Sequence, residues 1–129
     1  MEKDFEVMEN NSYKKGMLIL EQMLGEGRKE YIEKLNSIYD GLGDTIVEQV
    51  FGKVYSRNAL DLKTRELTTV ALLLSNGDKE QLLFHTQCAL NLGVKKEQII
   101  EVILHSITII GMPRALAALK AVKELLDAK

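Results

Sequence analysis

Cysteine, proline and aromatic residues are scarce in this sequence, and each scarcity narrows its possible functions. The 129 residues include one cysteine, one proline and no tryptophan, and aromatic side chains make up 5% of the chain. The single cysteine, Cys88, excludes a disulfide within the chain and any cysteine-rich metal site. A reducing, cytoplasmic location is the simplest interpretation of so few cysteines.

Long apolar runs and basic tracts are also missing. No uninterrupted apolar span approaches the roughly 18 residues of a membrane helix, and the first residues, MEKDFEVMEN, lack the apolar run of a signal peptide. The net charge is -2, and no basic tract is interleaved with aromatic residues, as nucleic-acid-binding proteins often have. We therefore expect neither a membrane nor a nucleic acid as a partner.

Helix-forming residues are abundant, and they repeat with helical spacing. Hydrophobic residues make up 46% of the chain, and they recur at three- and four-residue steps along most of it. The length fits one domain. The sequence therefore predicts a single all-α domain over residues 1–129, a bundle of six to seven helices. Residues 1–12 are polar with scattered apolar residues, and we predict a loosely held N-terminal arm there.

Capping residues and glycines predict where the helices begin and end. Asp44 is predicted to cap a helix that runs to about Tyr55, and Asp61 and Asp78 are predicted to cap two later helices. Pro113 suits the first turn of the last helix. The predicted helix ends are marked by glycines: Gly25, Gly27, Gly41, Gly43, Gly77, Gly93 and Gly111.

The stretch from Leu60 to Pro113 is predicted to form three consecutive helices, two of which have too much apolar surface for one buried face. Residues 70–74 are apolar nearly all round, and the helix that starts near Lys95 or Lys96 is rich in isoleucine. A chain of this length has little interior in which to bury such helices. We therefore expect a homo-oligomer.

His85 and Glu66 lie on two of these three helices, and two interpretations of them stay open. His85 is in the middle of its helix among apolar residues, and Glu66 is near the start of the preceding helix. In one interpretation His85 is a hydrogen-bonded core residue and Glu66 complements the helix dipole. In the other, Glu66 orients the imidazole for acid–base chemistry.

Arg57, Lys63 and Arg65 form a basic group just before and around the start of the Glu66 helix. They form either a solvated turn or a clamp for a substrate carboxylate, which arginine binds through two parallel hydrogen bonds. Arg114 lies near a helix start, where the helix dipole disfavours a cation. It is therefore a candidate anion contact.

Cys88 and His105 are secondary candidates. Cys88 follows His85 by one turn, so it is either an activated thiolate or a small core residue, and we favour the core residue. His105 follows Glu101 by one turn, which favours a helical ion pair. The ligand spacing of zinc sites and the glycine loops of phosphate sites are absent, so no metal site is predicted.

Three segments carry a resemblance to a known family. They are residues 60–74 (LDLKTRELTTVALLL), residues 84–119 (FHTQCALNLGVKKEQIIEVILHSITIIGMPRALAAL) and residues 50–60 (VFGKVYSRNAL). These segments resemble the carboxymuconolactone decarboxylase family, and the likeness spans roughly Val47 to Leu126. The resemblance implies the all-α fold of the alkylhydroperoxidase D-like type. It also implies assembly into rings of three or six subunits.

The family has two branches, and the sequence resembles the branch that lacks redox cysteines. In the branch similar to alkylhydroperoxidase D, a Cys-x-x-Cys pair precedes the shared histidine, and here Asp78 and Gln81 occupy those positions. A disulfide-based peroxidase activity is therefore not expected. A reductase that uses Cys88 with an outside thiol is the weaker alternative.

The decarboxylase branch implies decarboxylation, without a cofactor, of a small carboxylated lactone such as 4-carboxymuconolactone in aromatic-compound catabolism. Carried over by resemblance, His85 matches the family histidine, Glu66 the family glutamate, and Arg57 and Arg65 match family arginines. A histidine is a natural proton donor near neutral pH, and an arginine can hold a second substrate carboxylate.

Two positions differ from the family pattern. His105 stands where the family often has glutamine, and Ile109 stands where it often has tyrosine. The predicted fold survives these differences, but the predicted substrate becomes less specific. The rival interpretation is an oligomeric ligand-binding protein that has kept the fold and lost the chemistry.

Overall fold

The structure is a computed structural model that describes residues 2–128, with side chains described from residue 11 onward. It contains α1 (Glu2–Leu24), α2 (Arg28–Ile38), α3 (Leu42–Ile46), α4 (Leu62–Asn76), α5 (Lys79–Asn91), α6 (Lys96–Ile110) and α7 (Met112–Asp127). A 3-10 turn, Gly25–Gly27, follows α1, and a π-helical segment, Val47–Gly52, follows α3. The described residues contain no strand, which confirms the predicted all-α class.

The chain divides into two compact units, Met1–Leu60 and Asp61–Lys129. The first contains α1 to α3 and the π-helical segment, and the second contains α4 to α7. The predicted arm at residues 1–12 falls largely on α1, but residue 1 and the side chains of residues 2–10 lie outside the described part of the chain. The loosely held arm therefore stays a prediction. The organisation of the chain as a single domain also stays a prediction. Among the described residues, no helix has the length and apolarity needed to span a bilayer.

In the first unit, α1 and the π-helical segment approach each other backbone to backbone. A Cβ atom added at Gly16 would collide with the carbonyl oxygen of Val47, and one added at Gly52 would collide with the carbonyl oxygen of Ser12. Glycine is therefore required on both sides of this contact. The sequence predicts regular helix from Asp44 to about Tyr55. The structure corrects this, because π-helical geometry replaces α-helix at residue 47.

The start of α3 also differs from the prediction. The sequence predicts Asp44 as the N-cap, but the helix begins at Leu42 and Gly41 precedes it with φ at 79°. The Oδ1 atom of Asn36, on α2, accepts a hydrogen bond from the Gly43 N–H at 2.7 Å. A side chain from the preceding helix thus satisfies a free N–H group that a local cap would otherwise satisfy.

In the second unit, the helix boundaries predicted from capping residues are confirmed. Asp61 accepts a hydrogen bond from the Thr64 N–H at 2.8 Å, and Asp78 accepts one from the Gln81 N–H at 3.0 Å. Gly77, at φ 76°, ends α4. Pro113 lies in the first turn of α7, as predicted.

The core of the second unit lies among its four helices. α4 packs against α5, α6 and α7, and α7 also packs against α5 and α6. The buried side chains of this core are Val70, Leu74, Leu82, Ala89, Val94, Ile99, Ile103, Ala115, Ala118, Val122 and Leu126.

Several large apolar side chains of the second unit remain on its surface. They are Leu72, Leu104, Ile109, Met112 and Leu116, and Ile109 is 86% exposed. The helices that the sequence identifies as too apolar for one face thus do retain exposed apolar surface in the single chain.

Candidate active site

Glu66 and His85 form a side-chain ion pair that joins α4 to α5. Nδ1 of His85 lies 2.8 Å from Oε2 of Glu66. Glu66 is fully buried, whereas the side chain of His85 is 14% exposed. The carboxyl group is therefore shielded from water, while one edge of the imidazole remains accessible.

The connection between α4 and α5 explains how these two residues meet. Only Gly77 and Asp78 separate the two helices, and Gly77 adopts the left-handed conformation that reverses the chain. The apolar spacing on α5 turns Leu82 and Ala89 into the core, and His85 lies on the same side of the helix. The sequence thus places His85 opposite the early turns of α4.

The hydrogen bond determines which chemistry the pair can perform. An ionised carboxylate only accepts hydrogen bonds, so it requires the proton to be on Nδ1, and Nε2 is left for another partner. The ring of Phe84 lies edge-on to the imidazole, with centroids 5.0 Å apart and planes at 90°. A ring held in one orientation by a buried carboxylate is suited to transferring a proton through its free nitrogen.

Cys88 completes a cluster with this pair. One ligand atom each from Glu66, His85 and Cys88 lie within 4.8 Å of one another. Cys88 is fully buried, and burial, reinforced by the charge of Glu66, raises the pKa of its thiol to about 12. The thiol is therefore protonated at neutral pH, which is the opposite of what a thiolate nucleophile requires.

The predicted arginines occupy different places. Arg65 is half-buried and directly precedes Glu66 on α4. Arg114 is exposed and donates a hydrogen bond to the carbonyl of Ser75 at the other end of α4, roughly 13 Å along the helix from Glu66 at 1.5 Å per residue. Arg57 is an exposed residue of the first unit.

His105 is exposed on α6, apart from the Glu66–His85 pair. It borders an open hollow of about 520 Å³ between α4 and α6, together with Glu101, Thr64 and Thr68. The predicted ion pair between Glu101 and His105 is not among the ion pairs that the described residues form. This expectation was wrong because helical spacing permits such a pair without requiring it, and exposed pairs contribute little.

The sequence pointed to Glu66 and His85, but it did not reveal the three-residue cluster. The available signal was the spacing of His85 and Cys88, three residues apart and therefore neighbours on one helix face. The third member, Glu66, precedes His85 by 19 residues. No short ligand motif spans that distance.

Known proteins with similar sequences include two that are named as decarboxylases. The model of the carboxymuconolactone decarboxylase family matches residues 42–124. The 4-carboxymuconolactone decarboxylase of Acinetobacter baylyi is 33% identical over 114 residues, covering 88% of this chain and 85% of that protein. The nitrosuccinic acid decarboxylase of Metarhizium robertsii is 29% identical over 125 residues, covering 89% and 84%. An uncharacterised protein of Methanocaldococcus jannaschii is 29% identical over 106 residues, covering 81% and 97%.

Proposed function

Because the chain belongs to the carboxymuconolactone decarboxylase family, we propose that it decarboxylates a small carboxylic acid, with His85 as the proton donor and Glu66 as its orienting partner. The observation that carries the proposal is the 2.8 Å contact between His85 Nδ1 and the fully buried Glu66 carboxyl group. The names of two relatives support the reaction type, since both specify decarboxylation of a small acid.

The proposed reaction needs an electron acceptor in the substrate and a proton donor in the protein. When the bond to the carboxylate carbon breaks, carbon dioxide leaves and the electron pair moves into the acceptor, such as an unsaturated lactone. A proton from His85 then bonds to the substrate carbon, and the imidazole regains a proton from water. General acid catalysis of this kind typically contributes about 10²–10⁴-fold.

Glu66 has two roles in this proposal. Its hydrogen bond holds the proton on Nδ1 and directs Nε2 toward the substrate. Its negative charge also stabilises the imidazolium from which the proton is donated. Since the electrons are accepted by the substrate itself, the proposed reaction uses no cofactor.

Arg65 and Arg114 are the proposed contacts for a second substrate carboxylate within the second unit, and Arg57, which lies in the first unit, stays a prediction from the sequence. Arg65 is the nearest of the three in sequence to Glu66 and is half-buried, so a salt bridge there would be less screened than one at an exposed arginine. Arg114 already donates to the carbonyl of Ser75, and it would have to leave that carbonyl to bind an anion.

We propose 4-carboxymuconolactone as the first substrate to test, as the representative of a small carboxylated lactone. The name of the relative from Acinetobacter baylyi supports this choice. His105 and Ile109, which replace residues frequent in the family, argue for testing other acids beside it. Nitrosuccinic acid is the second choice, from the name of the other decarboxylase.

The decisive experiment is an absorbance assay of the purified protein on 4-carboxymuconolactone and on nitrosuccinic acid. We expect turnover in the parent and a loss of about 10²–10⁴-fold in His85→Gln, because glutamine keeps a hydrogen bond to Glu66 but donates no proton. Glu66→Gln should lose activity as well, but less than His85→Gln.

His105→Ala is the matched control, because it removes the other histidine of the chain without touching the Glu66–His85 pair. Full activity in His85→Gln would contradict the proposed proton donor. Binding of either acid without turnover by the parent would instead favour the rival, a ligand-binding protein. Turnover that needs an added thiol and is lost in Cys88→Ala would favour the thiol-dependent reductase.

We also propose that the protein assembles into a ring of three or six copies. Support comes from the exposed apolar side chains of α4, α6 and α7, which a second copy would cover. The mass of the assembly in solution tests this proposal directly.

A further inference from the structure

We propose that Glu66, His85 and Cys88 form a binding site for a thiophilic divalent cation of the zinc class. This inference does not depend on the proposed decarboxylation, because it concerns what the three side chains bind. It arises from the juxtaposition of a carboxylate, an imidazole and a thiol inside the second unit.

The positions of the three groups match the requirements of a small coordination sphere. Their ligand atoms lie within 4.8 Å of one another. Ligands at about 2.0–2.3 Å from a tetrahedral zinc ion are somewhat closer together than that, so small side-chain rotations close the sphere. Three protein ligands leave a fourth position for water or an anion, as in open zinc sites.

The burial of the cluster distinguishes it from ordinary surface carboxylates. Glu66 and Cys88 are both fully buried, and they belong to two helices that pack directly against each other. Side chains anchored on packed helices lose little further freedom when they bind an ion. Surface acidic groups lack this preorganisation, and they seldom hold an ion.

Cys88 lacks a polar partner that would compete with an ion. Its thiol is buried, and no hydrogen bond to it is found among the described residues. A thiol is a weak donor, so a buried thiol beside a carboxylate and an imidazole gains little from either one. Coordination would give this sulfur a strong interaction.

The charges of the site also balance. Binding would release the thiol proton, so one thiolate and one carboxylate would together neutralise the two positive charges of the ion. The imidazole would coordinate as a neutral ligand. A neutral buried complex avoids the large penalty that burial imposes on an isolated charge, and the mixed nitrogen, sulfur and oxygen donors suit zinc and cobalt better than magnesium or calcium.

The accessible edge of His85 provides the route of entry, since its side chain is 14% exposed while its two partners are buried. An ion held there would occupy the imidazole that the proposed reaction uses. If the proposed function holds, the ion is therefore an inhibitor of turnover. The inhibition, unlike the binding of the ion, rests on the proposed function.

Cobalt(II) is the probe for the experiment, because a cobalt–thiolate bond gives a charge-transfer absorption in the near ultraviolet. The full-length protein, freed of metal with a chelator, is titrated with Co²⁺ and then with Zn²⁺. We expect one equivalent of Co²⁺ per chain to produce the band, and Zn²⁺ to abolish it by displacement. The readout requires no substrate.

Four variants decide the assignment. Cys88→Ala should abolish the band, and His85→Gln and Glu66→Gln should each weaken Co²⁺ binding at least about tenfold, since loss of even an outer-shell partner lowers affinity about 10–100-fold. His105→Ala, the matched histidine control, should bind as the parent does. Circular dichroism verifies folding, and the two glutamine variants keep the test decisive if Cys88→Ala does not fold.

Absence of the band in the parent would overturn the proposal. So would a band that persists with unchanged affinity in both His85→Gln and Glu66→Gln, because Cys88 alone would then bind cobalt. If the protein is active, Zn²⁺ should inhibit turnover and a chelator should restore the activity. The Cys88→Ala variant should need at least about tenfold more Zn²⁺ for the same inhibition. An inactive protein that shows the band would contradict the proposed function and leave the metal site supported.

Discussion

The contact between Glu66 and His85 joins a fully buried carboxyl group to a partly exposed imidazole. A buried polar group without a partner costs free energy, typically about 1–3 kcal/mol and more when the group is charged. The histidine therefore stabilises the fold whether or not it takes part in catalysis. For this reason, a substitution that preserves the hydrogen bond tests catalysis better than truncation to alanine.

Cys88 offers a prediction at the same scale. Its thiol is buried and the pKa of that thiol is raised to about 12. A thiol reagent can therefore react with Cys88 only when the chain unfolds. We expect the folded protein to react with a disulfide reagent at least about 10³-fold more slowly than the denatured chain, following the fraction unfolded. The absorbance of the released thiol measures both rates.

The sequence contains no other cysteine, so the signal in that experiment comes from one residue. Reaction of the folded protein at a rate near that of the denatured chain would contradict the burial of Cys88. It would also favour the alternative in which Cys88 works with an outside thiol.

Single residues of the site were predictable to different extents. His85 and Glu66 could be identified because each is a polar residue in an otherwise apolar helical pattern, and because both match a family motif. The closeness of Cys88 to Glu66 could not be predicted from spacing, since it depends on how α4 and α5 rotate about their axes. The hydrogen bond of Arg114 to Ser75 depends on the packing of α7 against α4, which spacing does not reveal either.

Among the helices, the contact between α1 and the π-helical segment is the most demanding. Gly16→Ala would place a methyl group against the carbonyl of Val47, and the two elements would have to separate. We expect a decrease of about 1–3 kcal/mol in the free energy of unfolding, as for other overpacked sites. Urea denaturation followed by circular dichroism measures it.

Gly27→Ala is the matched control for this substitution. Gly27 has φ at -69°, and a Cβ atom there would meet no atom within 4 Å. We expect that variant to be as stable as the parent or about 0.4–1 kcal/mol more stable. Equal stability of the Gly16→Ala protein and the parent would contradict the close backbone contact.

Asp61, the N-cap of α4, leads to a prediction about pH. The hydrogen bond from the Thr64 N–H lowers the pKa of Asp61 below its usual value, so the folded state favours the ionised form. This contribution to stability is present above the usual aspartate pKa, and it disappears as the pH falls through the lowered value. The parent should therefore lose part of its stability on acidification through Asp61.

Asp61→Asn tests this dependence, because asparagine keeps a capping oxygen and does not titrate. Near neutral pH the two proteins should have similar thermal midpoints. Below the usual aspartate pKa, the midpoint of the parent should fall more steeply than that of the variant. Parallel curves would show that Asp61 does not contribute to the acid dependence.

The predictability of each helix depends on whether its cap is local. Asp61 and Asp78 cap the helices that directly follow them, so short patterns were sufficient to predict α4 and α5. At α3, the capping group comes from Asn36 of the preceding helix. Asp44 fitted the local pattern, yet it was not the cap, because tertiary packing had already satisfied the N–H group.

For the whole molecule, exposed apolar surface leads to a prediction about assembly. Ile109 on α6 is 86% exposed, and the proposed ring would cover it. Ile109→Glu should dissociate the assembly to a smaller species, because an unpaired buried charge costs several kcal/mol per interface. Light scattering coupled to size-exclusion chromatography gives the mass.

Ile38→Glu makes the same change at a residue of the first unit that is 73% exposed, so it controls for the loss of a surface isoleucine. We expect it to keep the mass of the parent. If Ile109→Glu also keeps that mass, Ile109 lies outside any interface, and a parent that is already monomeric would contradict the proposed ring.

For the whole molecule, the sequence predicted the all-α class of the fold but not the division of the chain into two compact units. Apolar spacing and composition were sufficient for an all-α chain, and the family motifs limited the possible architectures. The division at Leu60 and Asp61 was not foreseen, because the segment between Val54 and Leu62 contains no flexible linker composition. Compactness depends on contacts that a linear pattern does not report.

The short connection between α4 and α5 has a consequence for the order in which the site is made. Glu66 and His85 are 19 residues apart, so little chain entropy is lost when they meet. A nascent chain released as far as Asn91 already contains both groups and the whole hairpin that joins them. During synthesis, the two partners are therefore present before α6 and α7, which later supply the core that fixes their positions.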